Sequence, residues 1–137
     1  MSQENIDVIR EAVDALNRRD VDAFIAFARP DVEWKEPTDP FPGLRPIYHG
    51  RDGVREWLEE AFLELWESFH VEVGEITEAS DDRVFFEMWL TARGAASGVE
   101  TVIHTWSVTW HADDGKVARR ALFWTREEGL EAAGLSE

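Results

Sequence analysis

The sequence predicts a single α+β domain in which a curved antiparallel sheet wraps around N-terminal helices. Its 137 residues match the size of one domain with one sizeable core. Apolar residues recur with the helical period before residue 66 and mostly with the two-residue period of strands after it. No internal repeat or low-complexity linker divides the chain, so we treat residues 1–137 as one domain.

The composition restricts the classes of partner. The chain carries 29 acidic and 14 basic residues, and its formal net charge of −15 repels phosphate backbones and anionic lipid. Nucleic acid and membrane surfaces are therefore not expected partners. The absence of cysteine excludes disulfides, thiolate nucleophiles and cysteine metal sites. The first residues lack the apolar core of a signal peptide, so we expect a soluble, cytoplasmic protein.

Three amphipathic helices are predicted in the first half. The first begins at Ser2, a suitable N-cap, and ends at the polar residues 17–20. The second is predicted over 21–28, before Pro30. The third presents one apolar stripe and an acidic opposite face. The members of that stripe are Val54, Trp57, Leu58, Ala61, Phe62 and Leu65.

One short strand is predicted between the second and third helices. Val32, Trp34 and Glu36 alternate with charged residues, and Pro37 ends the run. The segment 37–49 holds four of the five prolines and shows no periodicity, which predicts a loop.

Four long strands are predicted from residue 66 onwards, with turns at 80–82 and 94–98 and a hairpin at Asp114-Gly115. After the last strand, Thr125 and Glu128 have the spacing of a capping box, which predicts a terminal helical turn.

The faces of these strands carry apolar side chains on both sides. Phe86 and Met88 lie on one face and can pack on the helices, while Phe85 and Trp89 lie on the other. The second face needs a cover of its own, and a dimer partner is the simplest one.

Folding the Asp114-Gly115 hairpin pairs His104, Trp106 and Phe123 on one face. We expect this face to be the inner one, because it is the more apolar of the two. Thr105 and the other small polar residues of that strand are then expected outside. The sequence does not determine which face carries Glu87.

Six short motifs occur in order along the chain. They are Ala15-Leu16-Asn17 with Asp20, Pro30-Asp31-Val32-Glu33-Trp34, Tyr48-His49-Gly50-Arg51-Asp52-Gly53-Val54, Ser97-Gly98-Val99-Glu100, Asp114-Gly115-Lys116 and the ending from Leu130 to Leu135. Together they resemble SnoaL-like proteins of the nuclear transport factor 2-like superfamily. The resemblance implies a cone-shaped α+β barrel with an internal apolar pocket, usually assembled as a homodimer.

The resemblance leaves the function open, because the superfamily includes polyketide cyclases, ketosteroid isomerases, epoxide hydrolases, dehydratases and non-catalytic binding domains. The general-acid/base aspartate of SnoaL-like polyketide cyclases falls at Thr125, which cannot exchange protons in that way. The general-base aspartate of ketosteroid isomerases matches Glu36. The oxyanion-hole positions of those isomerases fall at Ala12 and near Trp106, so the resemblance supports Glu36 alone.

Three residues are candidates for catalysis. Glu36 shares a strand face with Trp34, and a carboxylate that loses hydration beside indole rings is a better base. His104 and Tyr48 could supply an acid or an oxyanion donor. Solvation of Glu36, core hydrogen bonding of His104 and loop packing of Tyr48 are the structural alternatives.

An aromatic pocket wall would suit a flat hydrophobic ligand. The residues expected to line it are Trp34, Trp57, Phe62, Met88, Trp106 and Phe123. The histidines lack metal-ligand spacing and no phosphate or nucleotide motif occurs, so neither a metal nor a cofactor is expected. Two functions remain open. One is a cofactor-free acid/base enzyme (isomerase, cyclase, dehydratase or hydrolase), and the other is a non-catalytic ligand-binding or dimerisation module.

Overall fold

The computed structural model describes residues 2–37, 39–40, 43–80 and 82–135. The helices are α1 (Ser2–Asn17), α2 (Val21–Ile25), α3 (Gly50–Leu58), which continues into a π-helical turn (Glu59–Leu63), and α4 (Arg126–Ala133). The strands are β1 (Ala28–Lys35), β2 (Ile47–His49), β3 (Trp66–Ser80), β4 (Arg83–Gly94), β5 (Glu100–His111) and β6 (Val117–Phe123).

The strands form one curved, unclosed sheet in the order β2-β1-β6-β5-β4-β3. Neighbouring strands are antiparallel except β1 and β6, which pair in parallel. Helices α1 to α3 cover one face, called here the inner face, and most of the buried core lies between them and the sheet. The predicted α+β class is therefore confirmed, with one parallel pair in an otherwise antiparallel sheet.

Two boundaries differ from the sequence prediction. Helix α2 ends at Ile25 rather than at Ala28, which already begins β1. Pro30 consequently lies inside a strand, and the β1–β6 register shifts between Ala28 and Glu33, where a proline without an N–H does no harm. The predicted loop also contains β2, which pairs with β1 and is too short to show a period in the sequence.

The long strands follow the predicted order, but the face assignment for β5 and β6 was wrong. Thr105 and Ser107 lie on the inner face and line the pocket described below. Trp106 and Phe123 lie on the opposite, outer face, packed in the cluster that includes Leu130. Both faces of these strands are apolar, so apolar content could not distinguish them.

Helix α4 covers part of the outer face. Thr125 caps it by accepting a hydrogen bond from the Glu128 N–H at 3.2 Å, as the sequence predicts. Leu130 packs against Phe85, which is fully buried. The expectation that Phe85 needs a dimer partner for cover was therefore wrong, because the chain's own terminal helix provides it. Trp89, further along β4, remains 39% exposed.

Candidate ligand-binding site

A pocket with two adjoining lobes lies between the inner face of the sheet and the helices. The loop lobe has a cavity volume of about 80 Å³ and borders the segment after β1. The α1 lobe has a cavity volume of about 60 Å³ and borders the first helix. Both lobes share the wall residues Trp57, Phe62, Met88 and Arg120.

The size of the lobes limits what can bind. Each is smaller than the cavity of ~150 Å³ that accommodates benzene in a protein core. A ligand with more than one ring must therefore extend through both lobes or displace wall residues. The described lining residues of the loop lobe are apolar except Glu36, Thr105 and Arg120.

Glu36 and Arg120 form a buried ion pair in the wall of the loop lobe. Arg120 Nη1 lies 2.5 Å from Glu36 Oε2, and the side chains are only 4% and 3% exposed. Arg120 also donates to the carbonyl of Lys35 at 3.1 Å. The parallel pairing of β1 with β6 produces this contact, because it sets Trp34 and Lys35 opposite Arg120 and Ala121. Sequence analysis placed Glu36 inward but missed its partner.

Aromatic rings surround the cation of this pair. The guanidinium carbon of Arg120 lies 4.8 Å from the ring centroid of Trp34 and 4.9 Å from that of Trp57. The two indoles are themselves in contact, with centroids 5.1 Å apart. The guanidinium is therefore held by cation–π attraction to the two rings as well as by its ion pair with Glu36.

The structure brings five of the predicted site residues together. Glu36, Trp57, Phe62 and Met88 line the loop lobe, and Trp34 lines the α1 lobe. Four of these side chains come from the predicted strand and the predicted helical stripe, whose periodicity placed them on the inward-facing side.

Tyr48 does not line either lobe. Its side chain is buried, and its hydroxyl donates to Glu60 at 2.9 Å and accepts from the Arg45 N–H at 3.0 Å. Burial raises the pKa of the Tyr48 phenol, with the Glu60 carboxylate acting in the same direction. These contacts fit the packing role that the sequence left as the alternative.

His104, Trp106 and Phe123 are also outside the pocket, on the outer face. His104 Nε2 lies 2.6 Å from Glu87 Oε2, and its ring stacks on Trp89 with centroids 3.5 Å apart. The outer face therefore carries Glu87. The backbone N–H of Glu75 donates to Glu87 and lowers the pKa of its carboxyl, with His104 adding to that effect.

Two other kinds of site do not occur in the part of the chain that the structure describes. No group of three or more His, Asp or Glu residues there is placed to hold a metal ion. No helix there is long and apolar enough to cross a membrane.

Comparisons with known proteins agree with this architecture. The model of the SnoaL-like domain family matches residues 9–120, most of the chain. A search of curated proteins gives no match.

Solved structures share the fold at low sequence identity. TerC, co-crystallised with polyporic acid, is 21% identical, with 96% of this chain and 98% of that one covered and a TM-score of 0.75. The epoxide hydrolase/cyclase-like enzyme SalBIII is 17% identical, with 90% and 92% covered and a TM-score of 0.75. A Mycobacterium tuberculosis protein in complex with estradiol-17β-hemisuccinate is 12% identical, with 93% and 97% covered and a TM-score of 0.76.

Replacing Glu36 with glutamine is expected to lower the free energy of unfolding by about 3 kcal/mol or more, because it leaves the Arg120 cation buried without a counter-charge. Chemical denaturation measures the change. The double variant Glu36→Gln/Arg120→Met should recover most of the stability, because it removes both charges.

Glu33→Gln is the matched control. Glu33 lies on the same strand, and its ion pair with Arg119 spans 3.7 Å between side chains that are 40% and 44% exposed. Losing such an exposed pair should change the free energy of unfolding by less than about 1 kcal/mol. Equal stability of the Glu36 and Glu33 variants would contradict a buried ion pair at Glu36.

Proposed function

The chain belongs to the SnoaL-like family of the nuclear transport factor 2-like superfamily, and from this premise we propose that its pocket binds a small hydrophobic molecule. The observation that carries the proposal is a partly enclosed pocket with apolar walls and one ion pair whose two charges neutralise each other. Such a pocket gains free energy by removing apolar ligand surface from water. The ligands seen with TerC and with the Mycobacterium tuberculosis protein are also small ring compounds, which supports the proposal.

The wall favours flat ligands. The Trp57 and Phe62 rings meet edge-on with centroids 5.1 Å apart, and Phe62 in turn contacts Phe69 at 5.1 Å. Aromatic clusters of this kind offer ring faces and edges that pack well against another ring. Met88, shared by both lobes, is flexible and can adapt to the ligand's outline.

A naphthalene-type dye or a small aromatic ketone is expected to raise the melting temperature and quench tryptophan emission, because it binds the folded state beside Trp57. Trp57→Ala should weaken this binding about tenfold or more, since it removes a large part of the wall. Titration followed by fluorescence and by thermal shift measures both effects.

Trp106→Phe serves as the control. Trp106 packs on the outer face, so its substitution should leave the affinity for the dye or ketone unchanged. If no member of a panel of apolar ligands raises the melting temperature, the aromatic residues form only a core, and the binding proposal fails.

A second candidate function is cofactor-free acid/base catalysis, which is favoured by the position of Glu36 in the lobe wall beside Arg120. Glu36 would accept a proton from a ligand carbon next to a carbonyl, which leaves an enolate, or from water whose oxygen attacks an epoxide carbon as the epoxide C–O bond breaks and leaves an alkoxide. The proton neutralises the carboxylate, and the Arg120 guanidinium stabilises the negative charge on the ligand oxygen until that oxygen or the enolate carbon is protonated. Arg120 thus takes the donor role that the sequence analysis gave to His104 or Tyr48, neither of which lines a lobe.

Turnover of any active member of a panel of enones and epoxides should fall by ~10²–10⁴ in Glu36→Gln, because the general base is lost. Glu36→Asp keeps the carboxylate and should retain more activity. Rates are compared at a temperature where circular dichroism shows all variants folded. Undiminished turnover in Glu36→Gln would show that Glu36 is not the general base. If the unmodified protein binds ligands from the panel but turns none of them over, the protein is a non-catalytic ligand-binding module.

We also propose that the chain forms a homodimer through the part of the outer face that α4 leaves open. Trp89 and Val102 lie there on adjoining strands and are 39% and 58% exposed. Burying an exposed tryptophan and its apolar neighbours against a second copy would remove this surface from water.

Trp89→Glu is expected to weaken dimerisation by about 2 kcal/mol or more, because a central aromatic anchor is replaced by a charge. Sedimentation velocity across a concentration series measures the shift. Leu63→Glu is the control, because Leu63 is equally exposed but belongs to the π-helical turn beside α3. A protein that is monomeric at micromolar concentration would contradict the dimer.

A further inference from the structure

The α1 lobe contains a hydroxyl group that the fold leaves unsatisfied. Ser107 lies on the inner face of β5, is fully buried and lines this lobe. Its Oγ has no hydrogen-bond partner among the residues that the structure describes. The next inward-facing residue, Thr109, differs in this respect, because its Oγ1 lies 2.8 Å from His111 Nε2.

Two indole N–H groups in the same wall also lack a hydrogen-bond partner among the described residues. Trp34 and Trp57 both line the α1 lobe, and within the described part of the chain their buried Nε1 atoms have no acceptor. This is not general for the tryptophans of the protein, since Trp124 Nε1 donates to the carbonyl of Asp39 at 2.7 Å. Outside the lobes, Trp106 Nε1 on the outer face also lacks an acceptor among the described residues, but the α1 lobe differs in having three such groups, from Ser107, Trp34 and Trp57, in one wall.

The chemistry of these groups specifies what would satisfy them. An indole N–H can only donate, and a serine hydroxyl can donate or accept, so each of the three can be satisfied by an acceptor oxygen. Buried polar groups without a partner are rare in folded proteins and unfavourable, so a ligand that supplies the acceptor is bound more tightly than one that does not. Because Glu36 already neutralises Arg120, a neutral acceptor fits this pocket better than a carboxylate.

Building on the proposed binding function, we propose that the α1 lobe receives the carbonyl oxygen of a neutral ring ketone, with Ser107 as the specificity-determining residue. The lobe's cavity of about 60 Å³ accommodates only the carbonyl end of the ligand. The ligand's rings extend past the shared residues Trp57 and Phe62 into the loop lobe. The indole N–H groups of Trp34 and Trp57 are the further donors available along this path.

The test compares two ligands with the same ring skeleton, 1-indanone and indane, which differ by one carbonyl. Their dissociation constants are measured with the unmodified protein, Ser107→Ala and the control Ser68→Ala, which truncates an exposed serine on β3. The affinity ratio of ketone to hydrocarbon is expected to fall about 3- to 10-fold in Ser107→Ala, the contribution of one hydrogen bond. Ser68→Ala should keep the ratio of the unmodified protein.

The stability of the ligand-free variant separates recognition from structure. Ser107→Ala removes an unsatisfied buried hydroxyl, so its melting temperature should equal or exceed that of the unmodified protein. A lower melting temperature with equal loss of affinity for both ligands would assign Ser107 a structural role and overturn the inference. Trp34→Phe, which keeps a ring and removes the N–H, provides a second variant with the same expected fall in the ratio.

The outcomes also distinguish this inference from the function on which it rests. If both ligands bind and their affinity ratio is the same in the unmodified protein, Ser107→Ala and Trp34→Phe, the carbonyl subsite is wrong while the hydrophobic pocket stands. If neither ligand binds at any accessible concentration, the proposed binding function itself fails.

Discussion

The buried contact between Glu36 and Arg120 connects the first strand in chain order, β1, to the last, β6, which is its neighbour in the sheet. Glu36 follows β1 and Arg120 lies on β6, 84 residues later, so the pair forms only when these strands lie side by side in parallel. Two buried charges are tolerated because each has the other, and because the Lys35 carbonyl and two indole rings contact the guanidinium. The arrangement of the pocket depends on this contact, since Arg120 borders both lobes.

The two faces of the sheet differ in what they contact. The inner face carries the pocket, with small polar residues of β5 between apolar walls contributed by the helices. The outer face is partly sealed by α4, and Gly129 permits the close approach, because a Cβ there would lie 2.8 Å from a carbon of the buried Phe85 ring. Beyond α4 the outer face holds the His104–Glu87 pair and the half-exposed Trp89. This part of the outer face is exposed and partly apolar.

Within the pocket, the two lobes differ in their polar groups. Glu36 lines only the loop lobe, Arg120 borders both lobes, and the α1 lobe holds groups whose hydrogen-bond partners are not provided by the described residues. A site with this distribution would distinguish the two ends of a ligand, because only one end meets the carboxylate. Both proposed functions, binding and acid/base chemistry, require a wall that keeps Glu36 buried and paired with Arg120 in the ligand-free protein.

Much of this architecture could be predicted from the local periodicity of apolar residues in the sequence. The alternation of Val32, Trp34 and Glu36 predicted that the carboxylate faces inward, and the helical stripe predicted Trp57 and Phe62 on the buried side, because both depend only on residue spacing. The tertiary structure alone decided which face of β5 and β6 is the inner one. Alternation assigns the residues of a strand to two faces but does not determine which element covers each face. In the structure, α4 covers the face that carries Trp106. For the same reason Arg120 could not be identified as the partner of Glu36, since their contact comes from a pairing between distant strands that leaves no local pattern.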